Sequence, residues 1–166
     1  MVPAVRVWDR QWLVLTAGEV ATQDYNCMIV GWGSFGVVWG KPFAQVFVRP
    51  SRHTWQFMEK ATGFTLCGFG EEHRKALSYL GSRSGRDGDK VKATGLTPIP
   101  SRAVGAPGFQ EAELIVECRK MYFDDLEPRH YLDRAIDKNY PREDHHRVYF
   151  GEILAISGTP AWQMKE

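Results

Sequence analysis

Six runs rich in Val, Ile, Phe and Trp, their ends punctuated by Gly or Pro, constrain the fold of this chain more than any other feature. They are Trp12–Thr16, Cys27–Trp32, Phe43–Arg49, Phe64–Phe69, Ala112–Tyr122 and Val148–Ser157. The longest, around ELIVECRKMYF, alternates loosely between apolar and polar positions, as a half-buried strand does. Helical signals are fewer. Ser51 can cap a helix running to about Ala61, with Gly63 just past its end. EEHRKALSYLG puts Ala76, Leu77 and Leu80 on one face, with Gly81 as a stop. Two further short helices fit Asp87–Thr94 and the stretch RHYLDRAIDK. Strands thus outnumber helices and do not alternate with them. That disfavours a doubly wound parallel sheet and predicts a mostly β (α+β) domain, an antiparallel barrel with helices packed outside.

The length of 166 residues fits one domain spanning the chain, and TPIPSRAVGAPG (97–108) reads as a long loop inside it. With 43% hydrophobic and 25% charged residues the chain has an ordinary globular composition. A formal charge of +1 argues against a nucleic-acid partner. Cys27, Cys67 and Cys118 are odd in number and widely spaced, which predicts reduced thiols, with Cys27 and Cys67 buried in apolar runs. The opening MVPAVRVWDR has no apolar signal-peptide core, and no run approaches the ~18 apolar residues of a membrane span. The expectation is a cytoplasmic protein.

GWGSFG, residues 31–36, matches the GxGxxG dinucleotide fingerprint, which works only where the third glycine opens a helix. Here VVWGKP follows, an improbable first helical turn, so the glycines are read as a barrel corner or as backbone lying flat against a ligand. Two other segments are candidate anion sites. At FVRPSRHT a strand runs into a helix, and Arg49, Ser51, Arg52 and Thr54 surround the helix start. The alternative is that Ser51 merely caps while the arginines are solvated. In GSRSGRDGDKVK, residues 81–92, small residues allow amides to converge on an anion, with Arg83, Arg86, Lys90 and Lys92 nearby. The alternative is a mobile charged loop. His145 and His146 read as part of a solvated loop, His53, His73 and His130 show no pairing, and no metal site is expected.

The series YNCMIVGWGSFG, KPFAQVFVRPSRHTWQFME, GFTLCGF, YLGSRSGRDGDKVKATGLTP, EAELIVECRKMYFDDL and HRVYFGEI resembles the flavin reductase-like family, the group that includes flavoredoxin. The similarity runs from about residue 10 to 158. It implies an FMN-binding split barrel, with six strands in Greek-key order and flanking helices, working as a homodimer with flavin near the interface. Carried over by motif, Asn26, Cys27 and Met28 would line the ring, and Gly33, Ser34 and Phe35 would sit on the next turn. Arg49, Ser51, Arg52 and Thr54 would meet the phosphate and ribityl chain. Ser84, Gly85 and Lys90 would close the site, Lys90 as a cationic, electrostatic partner and the one candidate catalytic residue. Trp32 and Trp39 are candidate ring neighbours or core residues. The implied activity is NAD(P)H-dependent reduction of flavin on non-covalent FMN. The rivals are a flavoredoxin-like electron carrier reduced by a redox protein partner, and a flavin-binding or structural barrel without turnover.

Overall fold

The computed structural model of the protein describes residues 3–160. A short helix α1 (Pro3–Asp9), not foreseen from the sequence, leads into a hairpin of β1 (Leu13–Glu19) and β2 (Asp24–Val30). A second hairpin follows, β3 (Gly33–Val38) and β4 (Lys41–Val48). Helix α2 (His53–Lys60), β5 (Gly63–Gly68), α3 (Arg74–Ser82) and α4 (Lys90–Thr94) come next. After the small ribbon β6 (Pro98–Ile99) and β7 (Gly108–Phe109), the long strands β8 (Leu114–Asp125) and β9 (Arg147–Gly158) complete the chain.

Seven strands form one antiparallel sheet in the order β2-β1-β5-β8-β9-β4-β3, so the expected six become seven. The added strand is β3, the GWGSFG segment. It pairs with β4 through a turn in which Trp39 (φ 53°) and Gly40 (φ 71°) are both left-handed, the backbone of a type I′ hairpin. Gly33 and Gly36 therefore lie within a strand, not at a corner.

The order of strands forces closure. Only Gly31 and Trp32 separate β2 from β3, yet these strands occupy opposite edges of the sheet. Laid flat, seven strands would hold the edges about 29 Å apart, whereas two residues bridge at most about 11 Å. The sheet must curl until its edges approach, and β2 does touch β4. Register shifts at Glu117/Cys118 and Lys120/Tyr122 bend the β8–β9 pair as curvature of this kind requires.

Side chains of period two divide between two cores. Leu13, Leu15, Ala17, Phe64, Leu66, Val46, Val116 and Tyr149 fill the barrel, joined by Met58 from α2. Val14, Cys27 and Cys67 point the other way, where Leu77, Leu80 and Val91 of α3 and α4 cover them with Phe109. Both faces of β5 are buried throughout, which explains its near-continuous apolar character, broken only by Thr65, whose hydroxyl donates to the Pro107 carbonyl.

Several local expectations change. Arg52, not Ser51, occupies the N-cap of α2, and it makes no side-chain cap bond. Helix α3 runs through Gly81 to Ser82, and RHYLDRAIDK forms two 3-10 turns, Pro128–His130 and Arg134–Asn139. All three cysteines are buried and free, and burial pushes the Cys27 thiol up to about 11. No helix among the described residues is long and apolar enough to cross a membrane.

Candidate functional site

Two cavities adjoin where β2, the start of α2 and the loop after α3 meet, and they share Met28, Ser51 and Arg52. The first, about 290 Å³, is walled by Met28, Val30, Gly31, Trp32 and Phe47, with Arg49 and His146 at its side. The second, about 170 Å³, is lined by Asn26, Arg52, Thr54, Arg83, Ser84, Gly85, Arg86 and Lys90. Its described lining holds four cations and no carboxylate.

The frame of the second cavity is a chain of hydrogen bonds between β2 and α2. Asn26 Nδ2 donates to Thr54 Oγ1 (2.7 Å), and Thr54 Oγ1 donates to the Cys27 carbonyl (3.1 Å). Both side chains are buried. Gly85 closes the cavity because only a hydrogen fits there: a Cβ would lie 2.3 Å from Asn26 Oδ1 and 3.0 Å from His53 Cδ2. His53 Nδ1, on the neighbouring wall, is buried and has no hydrogen-bond partner among the described residues. Burial, with the Arg86 and Lys90 charges, lowers the pKa of His53 and so favours the neutral ring.

Lys90 is nearly buried, and its ammonium donates to the carbonyls of Leu80 (3.1 Å) and Arg83 (3.2 Å) at the C-terminal end of α3. Cations are favoured at that end of a helix. Burial lowers its pKa from the ordinary lysine value. Two of its three donors thus tie the loop 81–86 to the end of α3, and one remains for the cavity.

The two groups at the head of α2 are differently engaged. Arg49 Nη1 pairs with Asp144 Oδ1 (2.9 Å), Nη2 donates to the Asn139 carbonyl (2.9 Å), and the guanidinium stands 5.0 Å from the Tyr140 ring centroid. Ser51 Oγ donates to the other oxygen of Asp144 (2.8 Å). Burial alone would raise the Asp144 carboxyl, but the Ser51 hydroxyl and the Arg49 charge hold it below the usual carboxylate range.

Of the residues assigned from sequence, Asn26, Met28, Arg49, Ser51, Arg52, Thr54, Ser84, Gly85 and Lys90 line one cavity or the other. Cys27 contributes its carbonyl to the frame while its thiol faces the second core. Gly33, Ser34 and Phe35 line neither. Gly33 lies under Trp8, Ser34 Oγ donates to Gln45 Oε1 (2.8 Å), and the Phe35 ring rests 4.9 Å from Trp8. Trp32 borders the first cavity and Trp39 lies outside both, so neither is a core residue.

His146 corrects the reading of a solvated loop. It is buried, its Nδ1 is 2.8 Å from the Tyr140 hydroxyl, and its ring lies 4.7 Å from that of Trp32. Burial, with the charge of Arg49, lowers its pKa to about 4, so the imidazole beside the first cavity is neutral at pH 7. The available signal was its spacing: His146 stands two residues before Val148 and shares that residue's inward face.

Residues 9–160 match the flavin reductase like domain. No curated protein sequence matches significantly. Among solved structures, the chain is similar to flavoredoxin of Desulfovibrio vulgaris (Miyazaki F), with 19% identity over 92% of this chain and 72% of that one, at a TM-score of 0.70. An FMN-binding protein from Thermus thermophilus is 18% identical over 92% and 73% of the two chains, with a TM-score of 0.71. A Shewanella frigidimarina protein described as having a split barrel domain is 17% identical over 95% and 73%, with a TM-score of 0.70. The shared architecture is the antiparallel split barrel.

Proposed function

The chain belongs to the flavin reductase-like family, and on that premise we propose that it binds FMN non-covalently and acts as an NAD(P)H-dependent flavin oxidoreductase. The adjoining pair of cavities carries this reading: one walled by Met28, Val30, Trp32 and Phe47, beside one whose described lining holds four cations and no carboxylate, suits a planar ring ending in a phosphate monoester. The donor set fits such a group. Arg49, Arg52, Arg83 and Arg86 supply charge around Ser51, which lines both cavities, and Ser51 and Ser84 with the amides around Gly85 supply neutral donors.

When bound, the flavin supplies a ring that accepts hydride from a reduced nicotinamide. The protein's own contribution is binding and electrostatics. Lys90 orients the loop 81–86, the Asn26–Thr54 pair holds the head of α2, and Met28, Phe47 and Trp32 offer the ring apolar surface in the first cavity. The cations stabilise negative charge accumulating nearby. Neutral His146 offers a ring nitrogen without adding charge. A homodimer belongs to the same proposal, supported by the exposed rings of Trp39 and Tyr122, which lie against half-buried Phe150. A cytoplasmic location also belongs to it, supported by the three free cysteines.

Visible absorption of the purified protein, before and after addition of FMN, tests the flavin. Copurifying or perturbed flavin bands are expected. Anaerobic addition of NADH or NADPH should then bleach the bands rapidly. Slow bleaching by both nicotinamides, with fast reduction by a low-potential redox protein, would replace the reductase by an electron carrier. A colourless protein that leaves the FMN spectrum unchanged would overturn flavin binding itself.

A further inference from the structure

Beyond the two cavities, the molecule devotes a long excursion to a short connection. The final pair across β8 and β9 is Asp125 with Arg147, a spacing that a hairpin turn of about two to five residues closes. Residues 126–146 instead leave the sheet and fold back over the head of α2. This strap is thinly anchored. Its base is closed by the Leu126 amide donating to the His146 carbonyl (3.0 Å), and within it only Tyr140 and His146 are buried. Leu132 is 99% exposed. Its attachment to the site runs through Arg49, which holds Asp144, the Asn139 carbonyl and the Tyr140 ring at once.

Asp144 occupies these groups as an anionic ligand would. Each carboxylate oxygen takes one donor, Arg49 Nη1 and Ser51 Oγ, both at hydrogen-bond distance. Ser51 has a single hydroxyl proton, so it cannot serve Asp144 and a phosphate together. A phosphate placed on Arg49 and Ser51 would also set its charge against an ionised carboxylate in a part-buried site, which is unfavourable. The two occupants exclude each other.

We propose that Asp144 is an affinity-setting residue: an internal carboxylate that holds Arg49 and Ser51 until the ligand's phosphate displaces it and frees the strap. The inference rests on the phosphate-bearing flavin read above. It makes flavin binding an exchange of one anion for another, weaker than binding to empty donors. The strap can open cheaply because it buries little apolar surface.

Fluorescence titration of the wild type, Asp144→Ala and Asp144→Asn with FMN and with riboflavin, the same ring without phosphate, tests the exchange. FMN affinity should rise at least about tenfold in Asp144→Ala, the factor expected when a charge-assisted contact no longer competes. Riboflavin affinity should change by less than about threefold. Asp144→Asn, which keeps an acceptor for Ser51 without the charge, should fall between them. In the wild type, FMN but not riboflavin should speed amide exchange across residues 139–144. An Asp144→Ala protein that binds FMN no better, or binds both flavins worse in equal proportion, overturns the exchange and leaves the flavin reading standing. Folded proteins, by circular dichroism, that bind neither flavin in any variant overturn both.

Discussion

His146 shows how one buried titratable ring ties the site to the stability of the whole chain. Its imidazole is held to about 4 by burial and by the Arg49 guanidinium, whereas an unfolded histidine titrates near 6.5. Between those values the unfolded chain binds more protons than the folded one. Stability contributed by the neutral ring is therefore complete above about pH 6.5 and declines as pH falls toward 4. Urea unfolding followed from pH 7 to pH 5 should show a falling midpoint, and His146→Gln should flatten that fall. Parallel slopes in the two proteins would mean that the ring charges in the folded state without penalty. A flattened slope would also mark the first cavity as a place that resists a further positive charge beside Arg49 and Arg52.

At the scale of elements, α2 depends on contacts that no local pattern announces. The Glu59 carboxylate accepts from the Tyr149 hydroxyl and from Arg147 Nη1 (2.8 Å), and Arg147 also pairs with Asp125 (2.7 Å). Lys120 reaches the carbonyls of Met58 and Glu59. Together these bind the C-terminal turn of α2 to β8 and β9 across the barrel mouth. Tyr149 is fully buried, so Glu59→Ala leaves its hydroxyl without a partner and should destabilise the protein by roughly 1–3 kcal/mol in urea unfolding. A loss below about 0.5 kcal/mol would class the contact with solvated surface pairs. The same scale shows what the residue string discloses. All six apolar runs became strands because burial on one or both faces demands them, and RPSRHT, the junction of β4 with α2, meets SGRD, in the loop between α3 and α4, at one cavity. Strand β3 was hidden, since Gly33, Ser34 and Gly36 have little strand preference and owe their pairing to β4. The Asp144 contacts were equally hidden: their partners lie 93 and 95 positions away, and local periodicity carries no trace of such distances.

For the whole molecule, the unexplained feature is Trp39. It sits at a left-handed backbone position, which Gly, Asn and Asp occupy readily and bulky residues rarely do. It is also 64% exposed, at the tip of the β3–β4 hairpin. Turn geometry therefore gives no reason for a tryptophan there, and neither does the core. Its ring lies 6.1 Å from Tyr122 and 6.4 Å from Phe150, with Val37 and Ile156 also exposed on strands of the same sheet. Aromatic surface of this kind is concentrated at protein interfaces, in keeping with the proposed homodimer. Trp39→Asp separates the two roles, because aspartate suits the turn while removing the ring and adding a charge. Sedimentation should give the wild type twice the chain mass of 18.9 kDa and the variant that mass once, with the circular dichroism of the two alike. A wild type that sediments as a single chain at micromolar concentration would remove the dimer. A dimeric Trp39→Asp would move the interface to another face. If the separated variant also loses FMN affinity while keeping its fold, the second copy completes the flavin site; unchanged affinity would mean that one barrel holds the cofactor alone.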